Sequence, residues 1–131
     1  MSKQLYERAF GSVAYDGLIA GATHPIDHKS VVLKAGQGVL KRGSVLAVAD
    51  DDLAVLVDSS KTDGSQNADS ILIADIDTGG EDATENIVAV AYKSGGPFKR
   101  QALIFGGADT ADKHEGRLRE LGIYLTDTIP Y

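Results

Sequence analysis

The sequence contains no cysteine, so disulfides, thiolate–metal centres and thiol nucleophiles are excluded from its chemistry. No apolar run approaches the length of a membrane span, and Met1-Ser2-Lys3-Gln4 leads into no signal-peptide core. The chain is therefore expected to be made and folded in a cytoplasm, with no membrane partner. A basic excess is missing too, since the formal net charge is −6. Phosphate binding needs clustered Lys and Arg, so an acidic body argues against a nucleic-acid partner. No Ser/His/Asp set has usable spacing, and the three histidines are unpartnered. No enzyme, cofactor, metal or small-molecule substrate is expected on that ground.

The 131 residues suffice for one domain with a modest core. Charge is uneven along them: residues 1–42 carry +3 and residues 43–131 carry −9. The basic first third could dock on an acidic protein surface, or the difference is ordinary scatter of solvated charge.

The chain is organised around residues 34–48, KAGQGVLKRGSVLAV. Gly36, Gly38 and Gly43 break any helical period, and the apolar residues between them are valine and leucine. The stretch reads as a compact β-corner. Gly38-x-x-x-x-Gly43-Ser44 has phosphate-loop spacing, but Ser44 stands where that motif needs Lys, and a strand rather than a helix follows. Gly36-Gln37-Gly38 fails the dinucleotide fingerprint, because Lys41 takes the place of its third glycine.

Residues 1–29 combine glycine with scattered large apolar groups and no period. They read either as an arm that gains order against a partner or as a segment packed across its own domain. Within them, His24-Pro25-Ile26-Asp27-His28 lacks a third strong metal ligand nearby, and Pro25 fixes an extended lead-in to the first strand.

Beyond that point the pattern predicts mostly strands: Val31–Lys34, then Ser44–Ala49 and Leu53–Val57 as a hairpin about Asp50-Asp51-Asp52, then Ser70–Ala74. Asp58–Asp69 fails the calcium-loop pattern and reads as a polar surface loop. An acidic turn-rich loop spans Asp75–Glu85. Ile87–Tyr92 is the clearest strand, apolar on both faces, which argues burial on both sides or an oligomer contact. Ser94-Gly95-Gly96-Pro97 reads as a turn and Ala102–Phe105 as the last strand. Asp109 or Thr110 can cap one helix running to about Leu121, with Gly122 beyond its end. His114 is expected on that helix as a half-buried residue, and the tail Ile123-Tyr124-Leu125 is expected to return onto the body.

Four segments then fall into a recognisable order: DGLIAGATHPI (16–26), AGQGVLKRGSVL (35–46), ILIADIDTGG (71–80) and LRELGIYL (118–125). Together they resemble the lambda-like bacteriophage head decoration proteins, the capsid-stabilising protein D family, with the first resembling the arm motif of the Gram-positive phage branch. The resemblance implies a mostly-β, β-clip-like small barrel with a bent β-ribbon, one short C-terminal helix and a flexible N-terminal arm. It implies homotrimers on the outer surface of the virion capsid, bound to the major capsid protein at three-fold and quasi-three-fold positions. There they stabilise the expanded shell against internal DNA pressure. It also implies that the arm makes many capsid contacts. The domain division expected is a capsid-binding arm at 1–29 and a β-rich body at 30–131, with Tyr15, Leu18, Ile19, Pro25 and Ile26 as anchors. The competing readings are a small β-barrel ligand-binding domain or enzyme, and another virion module of tail or fibre.

Overall fold

A computed structural model describes residues 18–127. Eight strands are present: β1 Ile19–Leu33, β2 Val39–Leu40, β3 Val45–Val48, β4 Ala54–Leu56, β5 Ala68–Leu72, β6 Ile76–Asp77, β7 Ile87–Lys99 and β8 Ile123–Thr126. A 3₁₀ turn at Arg100–Ala102 and one helix, α1 at Ala111–Glu120, complete the described chain. The described residues are mostly β, with a single helix near their C-terminal end.

The main sheet runs β1-β4-β3-β5-β7-β8, and β1 also pairs with β7. That extra pairing closes β1, β4, β3, β5 and β7 into a ring, which removes most of the open strand edges. Strand alternation gives the ring two apolar faces. Val31 and Leu33 of β1, Leu46 of β3, Ala54 of β4, Leu72 of β5, and Ala89 and Ala91 of β7 gather into one buried cluster. On the opposite face of β3 and β5, Val45, Ala47 and Ile71 join Tyr92, Phe98, Leu118 and Ile123 in a second. Leu118 brings α1 down onto that second face and is fully buried, a contribution of about 1.5–3 kcal/mol.

The corner at residues 34–48 is a turn, a short extended piece and a second turn, with φ of +86°, +72° and +96° at Gly36, Gly38 and Gly43. It is clamped to residues 76–79. Gly36 N–H donates to Thr78 O at 2.9 Å, Gly38 N–H to Gly79 O at 2.9 Å, and Thr78 N–H to Gly38 O at 2.8 Å. The β2–β6 pairing, Val39 with Asp77 and Leu40 with Ile76, continues the clamp. At its centre, Gln37 Nε2 donates to Lys34 O at 2.8 Å and Ala54 O at 3.1 Å, while Gln37 Oε1 accepts from Leu56 N–H at 3.2 Å. One amide thus joins the end of β1 to β4.

Three expectations need correction. Ser94-Gly95-Gly96-Pro97 is not a turn: it lies inside β7, which runs on to Lys99. The first strand begins at Ile19, not Val31, and its N-terminal half pairs with β7 through three register shifts. Glycine permits this crossing, because a Cβ at Gly95 would lie 2.5 Å from Pro25 O and 2.6 Å from Ile26 Cα. Ala102–Phe105 makes only one bridge, Ile104 to Ser44, and the last strand is β8, parallel to β7. The hairpin and the helix stand where the pattern put them, the helix with Thr110 at its N-cap and Gly122 at φ +86° just past Leu121. β5 starts at Ala68 and ends at Leu72, two residues ahead of the expected Ser70–Ala74, and the expected Asp75–Glu85 loop contains the short strand β6.

Candidate interaction surfaces

Beyond the closed ring, β7 continues outward between the N-terminal half of β1 on one side and β8 on the other. His24 pairs with Gly96 and Ile19 with Phe98, while Ile123 and Leu125 of β8 pair with Gly95 and Phe98. The His24 and Tyr124 rings stack across the glycine pair with centroids 4.0 Å apart. Two segments far apart in sequence, at residues 24–26 and 122–124, therefore meet on either side of Gly95-Gly96.

The five expected anchors separate here. Tyr15 lies outside the described residues. Leu18 and Ile19 are 3% and 8% exposed and belong to the core cluster with Phe98 and Ile123. Lys99 N–H donates to Leu18 O at 2.7 Å. Ile26 is half-buried against that cluster, and Pro25 is exposed. Among the residues of 18–29 whose burial is described, the surface-facing positions are His24, Pro25, Asp27 and His28.

The surface that sequence reasoning half found lies on the outer side of β1 and β7. Val31, Leu33, Ala89 and Ala91 point into the ring, so their neighbours point away from it. Val32, Val88 and Val90 are 39%, 69% and 49% exposed. Val32 stands opposite Val88, and Ser30 opposite Val90. On β3 and β5 the equivalent outer face is covered by α1 and β8. On the β1–β7 ribbon no described residue covers it. Apolarity on both faces of Ile87–Tyr92 is the signal in the sequence. Tyr92 shares the outer face with Val88 and Val90 but is covered there, 3% exposed within the second cluster, with Arg42 Nη1 donating to its hydroxyl at 2.8 Å.

One polar cluster has the residue types of a hydrolase but not the order. Ser59 Oγ donates to Asp109 Oδ1 at 2.6 Å, Ser59 N–H to Asp109 Oδ2 at 2.6 Å, and His114 Nε2 meets Asp109 Oδ2 at 2.7 Å. The His114 and Asp109 side chains are 3% and 4% exposed, so His114 is buried rather than half-buried. A nucleophilic triad needs the imidazole between hydroxyl and carboxylate, to take the hydroxyl proton. Here the carboxylate sits between them and holds both partners. The Ser59 hydroxyl bond, then His114, keep the Asp109 carboxyl down at about 2 despite its burial. The cluster fastens the 58–61 loop to the start of α1, and the Phe105 ring stacks on His114 at 5.5 Å. His24 and His28 are likewise engaged by rings, those of Tyr124 and Tyr92. Among the described residues no three His, Asp or Glu side chains gather as a metal site.

A small closed barrel with one helix, an uncovered apolar ribbon face and a polar cluster arranged for anchoring has the makings of a structural module that works through its surfaces. Its particular kind follows from comparison with known families. The family model of bacteriophage lambda head decoration protein D matches residues 9–123, and the chain belongs to that family. No curated protein matches it significantly. It is a bacteriophage capsid decoration protein, a structural component of the phage head. The match spans nearly all the described residues, including β1 and the corner clamp.

Proposed function

We propose that the protein binds as homotrimers to the outer surface of the expanded phage capsid, at three-fold and quasi-three-fold sites, and stabilises the shell against the pressure of packaged DNA. The family match over residues 9–123 carries this reading. A three-fold site is best filled by a three-fold object, since symmetry lets one surface patch make every equivalent contact. The uncovered valines at 32, 88 and 90 supply an apolar surface for contact between copies. In this reading no catalysis is involved, and the partner is the major capsid protein.

The N-terminal arm supplies the remaining contacts. Leu18 and Ile19 root it in the barrel, so its reaching part is residues 1–17, with Tyr15 as an anchor and Pro25 and the open side of Ile26 beside its root. An extended segment can add a strand to an exposed capsid edge, where main-chain hydrogen bonds give affinity. Three arms on one trimer add avidity, because the second and third bind at high effective concentration. Mixing the protein with expanded capsids, then pelleting and imaging them, tests the reading. Three-fold density on the outer face supports it. Capsids that pellet bare, or density of another symmetry, would falsify it.

A further inference from the structure

Within the polar loop between β4 and β5, Asp63 precedes Gly64, the aspartyl dipeptide most prone to succinimide formation, because glycine offers no side chain to shield its nitrogen. The fold requires that glycine: Gly64 has φ +101°, and a Cβ there would lie 2.9 Å from Val48 O. Substitution is therefore closed as a route to protection.

Each reacting group is held by another partner. Gly64 N–H donates to Gln66 Oε1 at 2.8 Å. Asp63 Oδ1 accepts from Ser65 N–H at 3.1 Å and from the Ser65 hydroxyl. Asp63 O accepts from Asp50 N–H at 2.8 Å, which pins the peptide from its other side. We propose that Asp63–Gly64 is a latent isoaspartate site, held unreactive by Gln66 on the attacking nitrogen and Ser65 on the carboxyl.

The reaction needs no co-reactant but water. The Gly64 nitrogen attacks Asp63 Cγ, and the carboxyl hydroxyl leaves as water with the amide hydrogen. Hydrolysis of the five-membered imide at one carbonyl returns aspartate, and at the other gives isoaspartate. The neutral acid is the electrophile, and the Ser65 hydroxyl and amide hold the Asp63 carboxyl below its usual range, which keeps it ionised. Ring closure must turn the carboxyl and the amide toward one another, breaking the bonds to Ser65 and Gln66. Isoaspartate adds a methylene to the main chain. It would shift Gly64 off Val48 and disturb the bonds from Asp50 N–H to Asp63 O and from Asp58 N–H to Ser65 O, at 2.8 and 2.9 Å.

The test incubates the full chain in mildly acidic buffer, native and in urea, and follows isoaspartate at residue 63 by peptide mass spectrometry and methyltransferase labelling. Native protein should react slower than unfolded chain by roughly a hundredfold, the factor expected when three hydrogen bonds must first break. Gln66→Ala and Gln66→Ala/Ser65→Ala, checked for a native circular-dichroism spectrum, should recover most of the unfolded rate. Equal rates in native and unfolded wild type would overturn the proposal. So would a folded double variant that reacts no faster than native wild type. Should the double variant not fold, the single variant and the native-to-urea comparison decide on the same terms.

Discussion

Val32 and Val88 face one another across the β1–β7 ribbon, and both are turned to solvent, 39% and 69% exposed. Their neighbours in sequence, Val31 and Ala89, fill the ring. The ribbon is thus apolar on both sides while only one side is covered by the described residues. Replacing Val88 and Val90 together with Ser should change the stability of the isolated protein by no more than about 0.5 kcal/mol per site, as for other exposed positions. It should weaken self-association and occupancy on expanded capsids. Urea unfolding and capsid pelleting measure the two effects separately, and unchanged occupancy would mean the valine face is not a contact.

Two truncations test the proposed arm against the barrel. Removing residues 1–17 takes nothing from the described core and should leave the unfolding midpoint near wild type while capsid binding falls. Removing residues 1–26 also strips Leu18, Ile19 and Ala20, all buried. That should lower stability by several kcal/mol, at about 1.5–3 kcal/mol for each large side chain. Denaturation of the two truncations side by side gives the answer. Equal stabilities would show that the N-terminal half of β1 adds nothing to the barrel.

Gln37 holds the corner through its side chain alone in three places: the carbonyls of Lys34 and Ala54 and the amide of Leu56. Gln37→Ala removes this partner from the exposed Lys34 carbonyl and from the partly buried Ala54 carbonyl and Leu56 amide, of which Ala54 O keeps the Lys34 N–H. Unsatisfied groups cost about 1–3 kcal/mol, so urea unfolding should show a loss of that order. Gln37 is half-exposed, and water reaching the vacated site would bring the loss toward the lower end.

Asp109 gives the molecule a definite acid response. Its carboxyl ionises at about 2 in the folded protein, against an ordinary 3.8, so folding favours the ionised form. The stability linked to it is present in full above about pH 4 and drains away as pH falls toward 2. Asp109→Asn should therefore be less stable than wild type at neutral pH, with the difference shrinking through that window. Melting curves of both proteins between neutral pH and pH 2 test this. A constant gap across the window would remove the carboxylate from the explanation.

Local chemistry made some elements legible. The hairpin about Asp50-Asp51-Asp52 follows from valine and leucine flanking a turn, and Asp52 takes the positive φ, +64°, that the turn needs. The helix follows from its periodic apolar residues and the glycine beyond it. Its N-terminus was legible in position but not in chemistry. Thr110 is the N-cap without a side-chain capping bond, and Asp109, the other candidate, is occupied by Ser59 and His114. Nothing in the local sequence joins residue 59 to residue 109.

The sequence by itself determined the β-rich character, the corner at Gly36–Gly43, the single helix, the absence of thiol chemistry and the family resemblance. These rest on backbone freedom, side-chain shape and spacing within a few residues of one another. The tertiary structure alone decided what Gly95-Gly96 does, because the same dipeptide suits a turn or a strand crossed at close range. Only the arrival of Pro25, Ile26 and Tyr124 against it selects the strand. It also decided that Leu18 and Ile19 belong to the barrel and not to a free arm, since an apolar side chain carries no mark of which surface will bury it. The outward turn of Val88 has the same origin: alternation along a strand assigns two faces, and ring closure assigns which of them is inside.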